Sequence, residues 1–89
     1  MELTHPFFIK PPIEIVTYLR GDEIVNKSIN ISLCTSVKKS RMKWYPDNDG
    51  IPSIEFGGID EKWVFNSDKS RDETYNLLVN NEFYKIGTQ

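Results

Sequence analysis

The spacing of apolar residues changes once along this chain, and that change limits the folds that the chain can adopt. Between residues 13 and 65, apolar and polar residues tend to alternate, as in half-buried strands. From residue 70 onward, apolar residues recur every three or four positions, as on one face of a helix. The pattern predicts an α+β fold: an antiparallel sheet of about five strands, followed by one C-terminal amphipathic helix.

The length allows one domain with one hydrophobic core. A chain of 89 residues is too short for a doubly wound nucleotide-binding fold or a TIM barrel. We expect a Pro-rich arm at residues 1–12, antiparallel strands at 13–66 and a helix at 70–83. The single Cys excludes an intramolecular disulfide. Domains of this size are often marginally stable, so a homo-oligomer is among the expected states.

The first two strands are expected to form a hairpin over residues 13–33. Gly21 and Asp22 provide its turn. The alternation gives the first strand two faces, one with Ile13, Ile15, Thr17 and Leu19 and the other with Glu14, Val16, Tyr18 and Arg20. In the second strand it turns Val25 toward the core and leaves Asn26 facing water.

Two further turns are expected between later strands. Residues 46–50, Pro-Asp-Asn-Asp-Gly, predict a turn between a strand at 37–45 and a strand at 51–56. Gly57-Gly58 predicts a turn or bulge before the last strand. Ser70 and Glu73 have the spacing of a capping box at the start of the helix, with Ser67 as a rival cap one turn earlier.

The chemistry needed for catalysis is not recognisable. His5 is the only histidine, and no strained elbow or glycine-rich oxyanion loop surrounds Cys34. Residues 47–50 resemble part of a calcium loop, but Tyr45 and Phe56 stand where oxygen ligands are required. We therefore expect a non-enzymatic protein with no metal and no cofactor.

The clearest local signal is a basic and aromatic segment in an otherwise acidic chain. Its members are Lys38, Lys39, Arg41, Lys43, Trp44 and Tyr45. Cations neutralise phosphates and aromatic rings stack on bases, so this strand is a candidate nucleic-acid surface. Lysines also protect edge strands from unwanted pairing, and a basic strand suits an acidic protein partner. The sequence leaves these three interpretations open.

A second candidate surface is acidic. Its members are Asp47, Asp49, Asp60 and Glu61. These carboxylates could mimic nucleic-acid phosphates and so bind a host protein at the surface that normally contacts a nucleic acid. A formal net charge of only -2 argues against strong mimicry.

The order of elements in the C-terminal half resembles bacterial PH-like and GRAM-type domains. The resemblance covers residues 28–80. It rests on the strand 28–37, the strand end Lys-Trp-Val-Phe at 62–65 and the helix start Ser-Arg-Asp-Glu-Thr-Tyr at 70–75. It implies a binding module rather than an enzyme. A full barrel of that family has seven strands, so about five strands imply a partial barrel or one completed by a second subunit.

The leading hypothesis is a small, cytoplasmic, non-enzymatic protein-binding module. Alanine is absent and Lys, Asn and Ile are abundant, as in AT-rich bacterial and phage genes. One concrete form is an accessory or inhibitor protein, encoded by a phage or mobile element, that occludes a host protein. The alternatives are a nucleic-acid-binding domain using residues 38–45 and a homodimeric structural subunit. No apolar run approaches ~18 residues and the N-terminus lacks signal-peptide features, so no membrane partner is expected.

Overall fold

A computed structural model of the protein describes residues 8–17, 23–44, 47–82 and 86. Within these ranges, seven strands, one short 3-10 turn and one α-helix follow one another. They are β1 (Phe8–Ile9), β2 (Ile15–Thr17), β3 (Glu23–Val25), β4 (Ile29–Asn30), the 3-10 turn (Ile31–Leu33), β5 (Ser36–Trp44), β6 (Asp47–Gly57), β7 (Glu61–Val64) and α1 (Asp68–Val79).

The strands form three small antiparallel sheets. β1 pairs with β4, β2 pairs with β3, and β5, β6 and β7 lie side by side in that order. An α+β fold with antiparallel strands and one helix after them is thus confirmed. Across the described ranges, the strands divide into sheets of two, two and three rather than joining in one five-stranded sheet, and none of these sheets closes on itself.

One face of the three-stranded sheet carries the larger core, and α1 packs against it. Cross-strand register places Lys39, Ile54 and Trp63 side by side on this face, which we call the helix face. The rings of Phe56 and Trp63 meet edge to face, with centroids 4.9 Å apart. The buried members of this core are Ile9, Ile29, Ile54, Phe56, Trp63, Phe65, Leu78 and Ile86.

The opposite face carries a smaller core under the β2–β3 hairpin, and we call it the hairpin face. Val16 of β2 packs there with Ile51 and Val64, and all three side chains are buried. Ile24 of β3 and Met42 of β5 pack around them. Because both faces of β6 meet apolar neighbours, that strand is buried along most of its length.

The hairpin turns the opposite side toward the core from the one that the alternation predicts. Val16 is 1% exposed, whereas Ile15 is 51% exposed and its cross-strand partner Val25 is 61% exposed. Both sides of β2 are apolar, so the sequence gives no contrast between them. The contact with Ile51 and Val64 decides the orientation.

Asn26, predicted to face water, is buried. The chain leaves β3 at this residue and passes along the outer edge of β7. Its side-chain Nδ2 donates to the carbonyls of Ile13 (2.6 Å) and Val64 (2.9 Å), while Oδ1 accepts from the Val64 amide (2.8 Å). One carboxamide therefore joins three separate segments of the chain.

The turn predicted at residues 46–50 is shorter than expected. β6 already begins at Asp47, which pairs with Trp44. Between that pair and the pair Met42–Ile51, β5 has one residue and β6 has three, so the ladder contains a bulge. Gly50 lies in the bulge with φ of +75°, so its conformational freedom is used inside the strand. The predicted turn after β6 is confirmed, with Gly58 at φ of +91°.

The helix begins one turn before the predicted capping box. Ser67 is extended, and its Oγ accepts from the amide of Ser70 at 3.2 Å. Asp68 in the first turn suits the helix dipole, whereas Ser70 lies inside the helix. Within the part of the chain that is described, no helix has the length and apolar character needed to cross a bilayer.

Replacing Asn26 by Asp tests whether this carboxamide holds the fold together. The substitution keeps the size but removes both donations to carbonyl oxygens and sets a carboxylate against them. We expect the free energy of unfolding to fall by about 3 kcal/mol, since buried unsatisfied groups cost 1–3 kcal/mol each. Urea denaturation measures the loss. The same substitution at the exposed Asn66 is the control, and equal effects at the two positions would contradict the assignment.

Candidate functional site

The basic segment predicted from the sequence is an edge strand. β5 pairs with β6 on one side, and no other described strand lies along its outer side. The strand is nine residues long, which is long for an edge. Lys38, Lys39, Arg41 and Lys43 are all exposed on it.

Hydrogen bonds elsewhere in the sheet show which β5 backbone groups face outward. The Phe65 amide donates to the Pro52 carbonyl at 2.9 Å, so Pro52 directs its backbone toward β7. The backbone amide and carbonyl of the next residue, Ser53, therefore point toward β5, and those of its partner Ser40 point toward β6. By alternation, the backbone amide and carbonyl of Lys39 point away from the sheet.

The other edge of the sheet, along β7, is closed by a side chain rather than by a strand. Along β7, the amide and the carbonyl of Val64 both bond to the Asn26 side chain, which takes the place of a further strand. Beside it, the Trp63 indole donates to the Lys27 carbonyl at 2.7 Å. The two edges therefore differ, and β5 is the one that offers strand-like backbone groups.

Two of the basic side chains on β5 are engaged by the helix. Lys39 Nζ lies 3.8 Å from Asp72 Oδ1 and 5.2 Å from the centre of the Tyr75 ring. Arg41 Nη1 lies 2.7 Å from Asp68 Oδ1. The Lys39 and Arg41 side chains are still 48% and 43% exposed, so each ion pair is open to solvent and to competing charges.

Arg71 anchors this arrangement, and the sequence analysis did not single it out. Its guanidinium donates to the Ser40 carbonyl at 2.7 Å and contacts Asp68 at 3.1 Å and Asp72 at 2.6 Å. The side chain is only 11% exposed. A signal existed: Arg71 precedes Tyr75 and Leu78 by four and seven residues, so it lies on the buried stripe of the helix.

Lys38 points the other way, onto the hairpin face, where it pairs across the strands with Glu55. Glu55 in turn lies opposite Lys62 on β7. A hydrogen bond from the Ser40 hydroxyl lowers the pKa of Glu55 below its usual 4.5, and the charges of Lys62 and Lys38 lower it further. An open depression of about 360 Å³ lies beside Lys38, Glu55 and Asp60.

The backbone places the four residues of the predicted acidic surface near opposite ends of β6. Asp47 and Asp49 lie at the beginning of β6, whereas Asp60 is in the turn after that strand and Glu61 begins β7. β6 has eleven residues, so the two pairs are separated by roughly 30 Å. Asp60 instead lines the same depression as Lys38.

Two further predicted binding residues, Lys43 and Trp44, lie at the end of β5. Trp44 is the last residue of the strand and pairs with Asp47, and Lys43 lies at the bulge. Tyr45 falls outside the described residues. The basic segment is therefore divided between two faces and one strand end rather than forming a single surface.

No metal-binding or nucleophilic centre is visible among the residues that the structure describes. They contain no group of three or more His, Cys, Asp or Glu side chains placed to hold a metal ion. Burial raises the pKa of the Cys34 thiol above its usual 9.0, which favours the protonated form at neutral pH. His5 lies outside the described ranges.

Comparison with known proteins returned no relative. No family model matches the chain, and no curated protein or solved structure matches it.

Replacing Arg71 by Lys tests the anchor between helix and sheet. One ammonium group cannot reproduce the forked contacts to Ser40, Asp68 and Asp72, so we expect about 2 kcal/mol less stability. The same substitution at the exposed Arg41 is the matched control, with an expected change below about 1 kcal/mol. Thermal and urea unfolding measure both. A larger loss at Arg41 than at Arg71 would contradict the assignment.

The lowered pKa of Glu55 makes a directional prediction about acid stability. Its carboxylate stabilises the fold above the ordinary pKa, and that contribution is lost as pH falls through the lower folded-state value. The stability difference between the wild type and Glu55→Gln should therefore be largest near neutral pH and shrink below about pH 4.5. Ser40→Ala should reduce the same difference. A difference that does not vary between pH 7 and pH 3 would contradict the prediction.

Proposed function

We propose that this protein is a small non-enzymatic binding module that docks a protein partner along the outer edge of β5. One observation carries the proposal: of the two edges of the sheet, the described residues close only the one along β7. Asn26 occupies the backbone groups of β7 at Val64, whereas β5 presents a nine-residue edge with no described strand beyond it. An extended segment of another protein that added to β5 would complete the sheet.

Strand addition suits this edge for a physical reason. The outward amide and carbonyl of Lys39 are positioned for main-chain hydrogen bonds to an added strand. Apolar cores pack on both faces of the sheet, and a strand that is already formed needs little ordering on association. Main-chain bonds supply affinity, and the side chains on either face supply selectivity.

The similarity of residues 28–80 to PH-like and GRAM-type domains supports a binding role of the same class. A partial barrel of that kind, completed by a partner, is the finer form of this proposal. The protein would then act in the cytoplasm as an accessory or inhibitor that occludes the surface it binds.

The contacts on the helix face favour a protein partner over a nucleic acid. A phosphate backbone tracks a continuous row of available cations. Here Lys39 and Arg41 already pair with Asp72 and Asp68, and Lys38 faces Glu55 on the opposite face. The cations therefore do not form one row for a phosphate chain to follow.

A pair of substitutions at Lys39 isolates the contribution of the backbone. Lys39→Gln removes the ammonium and keeps the amide, whereas Lys39→Pro removes both. Proline is tolerated at an edge where its missing N–H faces outward, so we expect both variants to fold, which circular dichroism and urea unfolding check. Tagged full-length proteins are used to capture partners from lysate of the native host, with nuclease present.

The expected result is one stoichiometric protein that the wild type and Lys39→Gln retain and that folded Lys39→Pro loses. Lys27→Gln, at the opposite edge of the sheet, should behave as wild type. Capture that is equal for all folded variants would overturn docking at β5. Capture that disappears with nuclease would move the function to nucleic-acid binding.

A further inference from the structure

We infer, resting on the proposed function, that the partner segment is an extended acidic strand with carboxylates at alternate positions. The chemistry of β5 supports this choice. Its nine residues, Ser-Val-Lys-Lys-Ser-Arg-Met-Lys-Trp, contain four cations and no carboxylate. An added strand would lie beside Lys39 and Arg41 on the helix face, so acidic side chains are the complementary ones.

The spacing follows from the register of β5. Lys39 and Arg41 lie on the helix face with one residue between them, and alternate residues on a strand are ~6.8 Å apart. An added strand has the same repeat, so its carboxylates must also alternate to meet both cations. A strand in which no two acids are two positions apart would meet only one of the two cations.

The helix acids hold these cations ready for a partner. Asp72 orients Lys39 and Asp68 orients Arg41 beside the outer edge, through ion pairs that are about half exposed. Exposed pairs of this kind are weak, so carboxylates on an added strand can share or replace them at low cost. Arg71 keeps both helix acids partly neutralised, which limits their repulsion of an acidic partner.

A second copy of the same strand is a poor occupant for this edge. In an antiparallel pair centred on Ser40, Lys39 of one copy would lie opposite Arg41 of the other, and the reverse. A pair centred on Arg41 would set Arg41 opposite itself and Lys39 opposite Lys43. Like charges directly opposite destabilise strand pairing, so β5 disfavours self-association and leaves the edge to an acidic segment.

Two synthetic peptides of equal composition test the inference. One alternates, Glu-Thr-Glu-Thr-Glu-Thr-Glu-Thr, and the other arranges the same residues so that no two Glu are two positions apart, Glu-Glu-Thr-Thr-Glu-Glu-Thr-Thr. Both carry a fluorescent label, and their binding to the full-length protein is measured by anisotropy at several salt concentrations. We expect the alternating peptide to bind about ten-fold more tightly, because only it can meet Lys39 and Arg41 together while forming main-chain bonds.

Variants assign the effect to the edge. Lys39→Gln should weaken the alternating peptide about five-fold, which is the upper end for one exposed ion pair. Lys39→Pro should abolish the preference between the peptides, and Lys27→Gln should leave both affinities unchanged. Because Lys39→Gln keeps the backbone, it remains informative if the proline variant does not fold.

Three results would overturn the inference. They are equal affinity for the two peptides, tighter binding of a single-stranded oligonucleotide than of the alternating peptide, and concentration-dependent dimerisation that Lys39→Pro abolishes. If a protein partner depends on the β5 edge but the peptides bind equally, the acidic-strand inference fails while the proposed function stands. If the alternating peptide is preferred but no protein is captured, the proposed function fails and the edge chemistry stands.

Discussion

The Asn26 carboxamide is the interaction on which the arrangement of the sheet depends. It binds the amide and the carbonyl of Val64 and the carbonyl of Ile13, so it joins the outer edge of β7 to the segments on either side of the first hairpin. A buried amide is costly unless its polar atoms are satisfied, and here both ends of the group are. Asn26 closes the β7 edge and fixes the hairpin over the sheet. Among the described strands, β5 is then the edge to which a further strand can be added.

Arg71 also joins separate segments, in this case the helix α1 and the sheet. The helix must cover a face that includes Lys39 and Arg41, which cannot be buried without charge partners. Arg71 binds backbone carbonyls of β5 and β6 and also holds Asp68 and Asp72. Those acids then reach the two strand cations. Exposed pairs contribute 0–1 kcal/mol each, so the main effect of the outer pairs is to position the cations rather than to stabilise the fold.

The period of the hydrophobic pattern predicted the class of fold because that pattern depends on burial. The strands of the sheet and the helix that covers one of its faces follow from this pattern. Contacts between distant segments do not follow from it, because a local pattern does not encode them. The alternation predicts that Asn26 is exposed to solvent, and only the path of the chain along β7 shows why it is buried. Pro52 argues against a central strand, yet it is tolerated because its missing amide faces the point where β7 ends.

At the candidate site, composition identified the basic strand. The division of its cations between two faces could be seen only from the strand register.

Cations on an edge strand have two explanations that are usually treated as rivals: protection against aggregation and recognition of a partner. Under the proposed function, one arrangement on β5 serves both. Repulsion between like charges opposes pairing of β5 with a second copy, whereas the same charges attract a strand of opposite sign. Protection alone would require only that the cations be solvated. Here Lys39 and Arg41 are held by carboxylates on the helix, and that helix is fixed to the sheet by a buried arginine. Ordering a long side chain costs conformational entropy, and weak exposed ion pairs recover little of it. Order at this edge is what the proposed recognition role requires, because side chains already in place lower the entropy cost of binding.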